Sequence, residues 1–231
     1  MTQRTFTILM ALCGILSFLV LTTSFAINQG PPAGATIEQV MVWGRANAMS
    51  VLVGSWMQGI GAMLNVIFIL ALVRLASAER SFAGILTTYA ATVVTAISLV
   101  EIAGYISAVL SGQNNDLGSL AMSLILIKSV QHLYFISLPV MLPLGVLALQ
   151  SRVLPRVFGY LGIAIGGIFL AVGIALIFVS SDLILLVVPS LFSLWVLAAA
   201  ITLLVRRDVT PGSQRWTDEQ GLGVLSAHKE R

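Results

Sequence analysis

The chain is predicted to be all-α: a polytopic transmembrane bundle of six helices with both termini in the cytoplasm. Three observations predict it. Of 231 residues, 58% are hydrophobic and only 9% are charged, whereas a soluble domain carries about 25% charged residues. Too few charges exist to build a soluble surface, so most of this one must face lipid. Six apolar segments each reach the ~20 residues needed to cross a bilayer. Finally, the basic residues of the connecting segments alternate in side.

The six segments are Phe6–Ile27, Ser50–Val73, Phe82–Leu110, Ser119–Leu149, Val157–Val179 and Leu183–Val205. Backbone groups in lipid must be bonded within the protein, and none of these runs alternates like a barrel strand, so helices follow. Short connections favour one antiparallel bundle, residues 1–205, followed by a polar cytoplasmic tail, residues 206–231. No internal repeat is visible, which argues against an inverted-repeat transporter. Arg4, Arg74, Arg80, Arg152, Arg156, Arg206, Arg207, Arg215, Lys229 and Arg231 fall on one side, and only Arg45 on the other, with Glu38, Asp116 and Asp182. By the positive-inside rule the basic side is cytoplasmic, and the expected location is the inner membrane of a bacterium.

Individual segments carry further signals. The first also fits a signal peptide, with Arg4 ahead of it and Ser24–Ala26 (SFA) resembling a cleavage site, but its apolar run is long for one. Asn28–Met49 is expected to be an outer loop anchored by Trp43. In the fourth segment, Pro139 and Pro143 are expected to kink or unwind the helix. In the fifth, Gly162 and Gly166 are spaced for close helix packing. Thr217 and Gln220 fit a capping box for a short helix in the tail.

Polar residues inside the apolar segments are costly, and their spacing decides whether they gather or scatter. Lys128, Gln131, His132 and Phe135 share one helical face of the fourth segment. Ser98, Glu101 and Tyr105 share a face of the third; Gly54, Ser55, Gln58, Gly61, Ala62 and Asn65 share a face of the second. Glu101 lies nine residues before Leu110 and Lys128 nine after Ser119, so both are expected ~13 Å below the outer boundary. Gln58, eight residues into its segment, is at nearly the same level. Glu101 and Lys128 are the only acidic and basic groups so deep in the segments, which suggests a pair.

Two readings stay open. In one, Gln58, Glu101, Tyr105, Lys128, Gln131 and His132 line an outward-opening pocket that binds or passes a small molecule, with His132 able to exchange a proton. In the other, Glu101 and Lys128 are a buried structural tie in a non-catalytic scaffold or accessory subunit. An enzyme is the third choice. Two histidines, His132 and His228, do not make a three-histidine zinc site or a paired haem site. No nucleotide-binding loop and no serine-hydrolase elbow appear. No cofactor is expected. The expected partners are the lipid bilayer and a small-molecule ligand, with a homo-oligomer or a membrane partner protein also compatible; nucleic acid is not expected.

Between the fourth and fifth segments the chain reads SRVLPRVFG, with Ser151, Leu154, Pro155, Arg156 and Gly159 in a turn followed by a glycine-rich helix. This resembles a family of uncharacterised bacterial six-span membrane proteins, a domain of unknown function with an LPRxxG-type turn. The resemblance is best over residues 130–175, and departs from the family where SLPVMLPLG replaces part of a Phe-rich helix. It implies the same six-span plan and carries no activity to transfer.

Overall fold

The computed structural model describes residues 2–28, 30–31, 34–137, 140–175 and 182–206, without the side chains at 131–132, 134–137 and 182–189. Every regular element among them is helical: α1 (Gln3–Ile27), α2 (Ile37–Ala46), α3 (Ala48–Leu75), α4 (Phe82–Gln113), α5 (Leu117–Ser137), α6 (Met141–Gln150), α7 (Arg156–Ala175) and α8 (Asp182–Val205). Among the described residues α1, α3, α4 and α7 are long and apolar enough to cross a membrane. The expected tail helix and His228 lie outside the described residues.

Two segments gain detail. The fourth apolar segment holds α5 and α6, and Pro139 between them lies outside the described residues. Pro143 occupies the first turn of α6, where no intrahelical N–H is needed. The outer loop, in turn, contains α2. Thr36 opens it with a capping box, its hydroxyl accepting from the Gln39 N–H while Gln39 accepts from the Thr36 N–H at 2.9 Å.

Helices in lipid gain little from the hydrophobic effect between them, so close backbone approach and interhelical hydrogen bonds must hold them. The face of α1 turned inward is correspondingly small: Thr7, Ala11, Gly14, Ser17 and Ser24 are its buried residues. Ser17 Oγ donates to Gly61 O at 3.1 Å and Ser24 Oγ to Gly54 O at 2.8 Å, tying α1 antiparallel to α3. Both glycines are needed for approach, since a Cβ on Gly54 would stand 2.7 Å from Asn28 Cβ and one on Gly61 2.6 Å from Leu21 Cγ. Glycines also bring α6 against α7. A Cβ on Gly145 would meet Ile163 N at 2.7 Å and Gly159 O at 2.8 Å, and one on Gly162 would meet Gly145 Cα at 3.0 Å.

The apolar core is gathered toward one end of the bundle. Phe68, Leu72, Leu75, Met141, Leu144, Phe169, Trp195, Val196 and Leu203 form a single buried cluster. Trp195 Nε1 donates to Phe158 O at 3.0 Å, and the two rings meet edge to face. Arg74, Arg152 and Arg206 sit at this same end. Arg74 lies over the Phe6 ring at 5.4 Å, and Arg206 donates to the carbonyls of Arg152 and Val153. Around the perimeter, Leu16, Ile85, Met122, Leu170 and Ile201 are exposed, an apolar surface suited to lipid and not to water.

At the opposite end Asp116 caps α5. Its carboxylate accepts from the Ser119 hydroxyl at 2.6 Å and from the Ser119 N–H at 3.0 Å. Those bonds, the hydroxyl first, hold its pKa below the ordinary value. A depressed carboxylate contributes stability above its unfolded pKa and loses it as pH falls through the folded value. The start of α5 should therefore stay ordered down to pH ~4 and fray below it, with Ser119 amide exchange as the readout; Asp116→Asn should speed that exchange at neutral pH.

The glycine contacts give a second expectation. Gly145→Val must push into the backbone of α7 and should abolish monodisperse folding in size-exclusion chromatography. Gly167→Ala, with nothing within 4 Å of its Cβ, should leave Tm unchanged.

Candidate functional site

Three of the long helices meet in the outer half of the bundle, the end away from the arginine-rich turns. α3 packs on α4 and α4 on α5, both antiparallel. Gly59 sits against Ile102, and Gly104 against Ile127. On this frame Gln58 Nε2 donates to Glu101 Oε2 at 2.8 Å. Gln58 is buried and Glu101 half-buried. The bond joins α3 to α4 and shows that the two residues lie at one level.

The α5 helix lies on the other side of α4 from α3. The face of α5 packed on α4 consists of Leu120, Ser123, Ile127 and Val130, and Ser123 Oγ donates to Ser107 Oγ at 2.9 Å. Continuing that register places the backbone of Glu101 level with Ser129 and Val130, and Lys128 about 1.5–3 Å nearer the end that holds Asp116. Lys128 is one position round from Ile127 and is exposed. Glu101, Tyr105 and Lys128 each have a further interaction partner. Gln131 and His132 lie on helical backbone in α5; their side chains fall outside the described residues.

The α3 face that carries Gln58 has two more polar groups. Ser55 Oγ and Asn65 Oδ1 are buried without a hydrogen-bond partner, three residues before Gln58 and seven after it on the same face. Leaving such an oxygen unpaired costs about 1–3 kcal/mol. Native buried oxygens of this kind are usually met by water or a bound polar group.

Outward of the pair, Tyr105 lies one turn along α4 from Glu101 and lines a cavity of about 50 Å3. Its walls come from α2 (Val40, Met41, Trp43, Gly44), α4 (Ala108, Val109, Gly112) and α5 (Leu120, Leu124, Ile127), with Asn28, Gly30, Pro31 and Val51 completing it. Arg45 of α2 closes over the end of α4. Its Nε donates to Gly112 O at 2.7 Å and its Nη2 to Asn115 Oδ1. A guanidinium at the free carbonyls of a helix C-terminus is favoured by the helix dipole. Arg45 escaped the sequence reading as a functional residue, where it counted only as the lone basic group of the outer side. The signal was present in the Thr36/Gln39 capping box, which marks a helix in what reads as a loop. Among the described residues no three His, Cys, Asp or Glu side chains gather to hold a metal ion.

Among the described residues the fold and this site define an all-helical protein with four helices long and apolar enough to cross a membrane and a polar cluster between helices. The chain belongs to the family described as a domain of unknown function, DUF4386, whose model matches residues 5–206. No curated protein and no solved structure matches the chain.

Removing the amide donor tests how much the pair holds. Gln58→Leu should lower stability by about 0.6–2 kcal/mol, read as a fall in Tm in a fixed detergent. Glu101→Gln should cost less, because its amide oxygen still accepts from Gln58.

Proposed function

We propose that the protein is a six-span protein of the bacterial inner membrane with both termini in the cytoplasm, and that it binds or transports a small molecule through an outward-opening polar pocket. The six spans are α1, α3, α4, α5 with α6, α7 and α8. Gathering of Arg74, Arg152 and Arg206 at one end of the bundle supports the orientation. The pocket consists of Gln58, Glu101 and Tyr105, with Lys128, Gln131 and His132 contributed by α5.

The observation that carries this reading is the Gln58–Glu101 hydrogen bond at mid-depth with the buried, unpartnered Ser55 hydroxyl one turn outward. A carboxylate within a membrane-spanning helix is expensive and is usually retained for a solute or ion path. The packing supports the direction of opening: the large apolar side chains fill the arginine-rich half, and the other half holds the polar groups and the cavity. In this role Glu101 accepts hydrogen bonds from the solute, Gln58 orients the carboxylate, and Tyr105 stands at the entrance.

The scaffold alternative takes Glu101 and Lys128 as a structural tie between α4 and α5, and each has a further interaction in the bundle.

The two readings separate on one variant. Glu101→Gln combined with Lys128→Met should fold with a Tm close to wild type. It should lose the thermal stabilisation that the wild type gains from members of a panel of small cationic, anionic and zwitterionic metabolites. If no panel member stabilises the wild type, and the double variant instead loses a co-purifying membrane partner, the scaffold reading replaces the pocket.

A further inference from the structure

We propose that α2 is a lid over an apolar vestibule leading to the Gln58–Glu101 cluster, latched by Arg45, and that the vestibule admits solutes with an apolar body in preference to hydrophilic ions. The destination of the vestibule rests on the pocket reading above; the lid and its latch do not.

Four observations support it. First, α2 is a self-contained element. Its capping box satisfies its own first turn, and none of its residues is buried. Gly34 before it adopts φ 73°, open to glycine at little cost. Asn47 after it, at φ −112° and ψ 15°, separates it from α3. The helix can thus move without unwinding itself or its neighbour.

Second, its polar attachment is concentrated in one side chain. Among the described residues, the side-chain hydrogen bonds from α2 to the rest of the bundle are those of Arg45, to Gly112 O and to Asn115 Oδ1. Asn115 sits at the α4–α5 turn with φ 59°. One guanidinium thereby clasps the end of α4 and the turn that follows it. Breaking these two bonds frees α2, whereas a buried apolar face would have to be exposed to free any of the long helices.

Third, the space beneath is narrow and apolar. Met41 and Trp43 roof it, Val109 and Ile127 wall it, and the polar side chains lining it are Asn28 and Tyr105. At about 50 Å3 it has room for a few waters. An organic solute larger than that needs α2 to move. An ion would surrender its hydration shell to walls that return almost no hydrogen bonds, which is why the vestibule selects against it.

Fourth, the position explains the charge. Arg45 is the sole basic residue of the side opposite the arginine-rich turns, an exception to the charge bias. A latch on the carbonyl end of α4 accounts for a cation at that place.

The test is thiol accessibility in the full-length protein reconstituted in nanodiscs. Cys13→Ala removes the native thiol, and Ala108→Cys places a reporter on the vestibule wall. The probes are N-ethylmaleimide, small and neutral, and a trimethylammonium methanethiosulfonate, permanently cationic. Each probe's rate is normalised to its own rate on an exposed Ala103→Cys reporter on the membrane face of α4. Adding Arg45→Gln should raise N-ethylmaleimide labelling at Ala108→Cys by about tenfold, the effect expected from losing a charge-assisted bond. Arg45→Lys, which keeps the charge and cannot clasp both acceptors, should give a smaller increase. In the parent reporter, normalised labelling by N-ethylmaleimide should exceed that by the cationic reagent.

Equal labelling with and without Arg45 overturns the latch. A parallel rise at Ala103→Cys also overturns it, because it reports general loosening. Faster normalised labelling by the cationic reagent overturns the apolar selectivity. Glu101→Gln should leave the Arg45 effect unchanged, so that failure of the pocket and failure of the lid are read separately.

Discussion

The arrangement depends on two hydroxyl-to-carbonyl bonds that cross from α1 to α3, Ser17 to Gly61 and Ser24 to Gly54. In lipid a helix gains nothing by hiding its side chains from solvent, so packing density and interhelical bonds decide which faces meet. Helical carbonyls are already bonded along the axis and lie close to the backbone. A serine reaches one on a neighbouring helix only where that neighbour has no side chain in the way. Seven residues separate the two serines and seven separate the two glycines, so both contacts fall on one stripe and fix rotation as well as distance. With α3 held in that rotation, Gln58 is presented to α4, and the bond to Glu101 follows.

The same device recurs between α6 and α7, with backbone meeting backbone at Gly145, Gly159 and Gly162. Large side chains then fill what the glycines leave. Phe68 lies against Gly14, and Met141, Leu144 and Phe169 complete the cluster near the arginine-rich end. Toward the other end serines, Gln58, Glu101 and Tyr105 take the place of large apolar groups. One half of the bundle is consequently tightly packed and apolar, and the other has polar oxygens and a cavity under a small helix.

Much of this was legible in the residues. Apolar run lengths located α1, α3 and α4 within a few residues of their ends, because such runs favour continuous helix. The i, i+3, i+4 spacing put Gln58 and Glu101 at one depth on facing helices, and they are bonded. The Gly162-x-x-x-Gly166 pattern was correctly read as packing, with the α6 backbone as its partner. Other features were not legible. A face of α5 has several candidate stripes, and periodicity alone does not say whether Lys128 or Ile127 turns toward α4. The structure turns Ile127, since Gly104 leaves a hollow that a branched side chain fills. Likewise α2 is too short and too polar to announce itself through apolar runs.

By itself the sequence determined that this chain is helical, that several of its helices are apolar enough for lipid, and which of them carry polar groups at one level. Those properties follow from composition and from the fixed rise and turn of a helix. Tertiary structure alone decided that Gln58 and Glu101 touch, that Ile127 turns toward α4, and that Arg45 ties a separate helix across the end of α4. Each of those depends on the rotation of one helix against another, and rotation is set by where glycine lets two backbones approach.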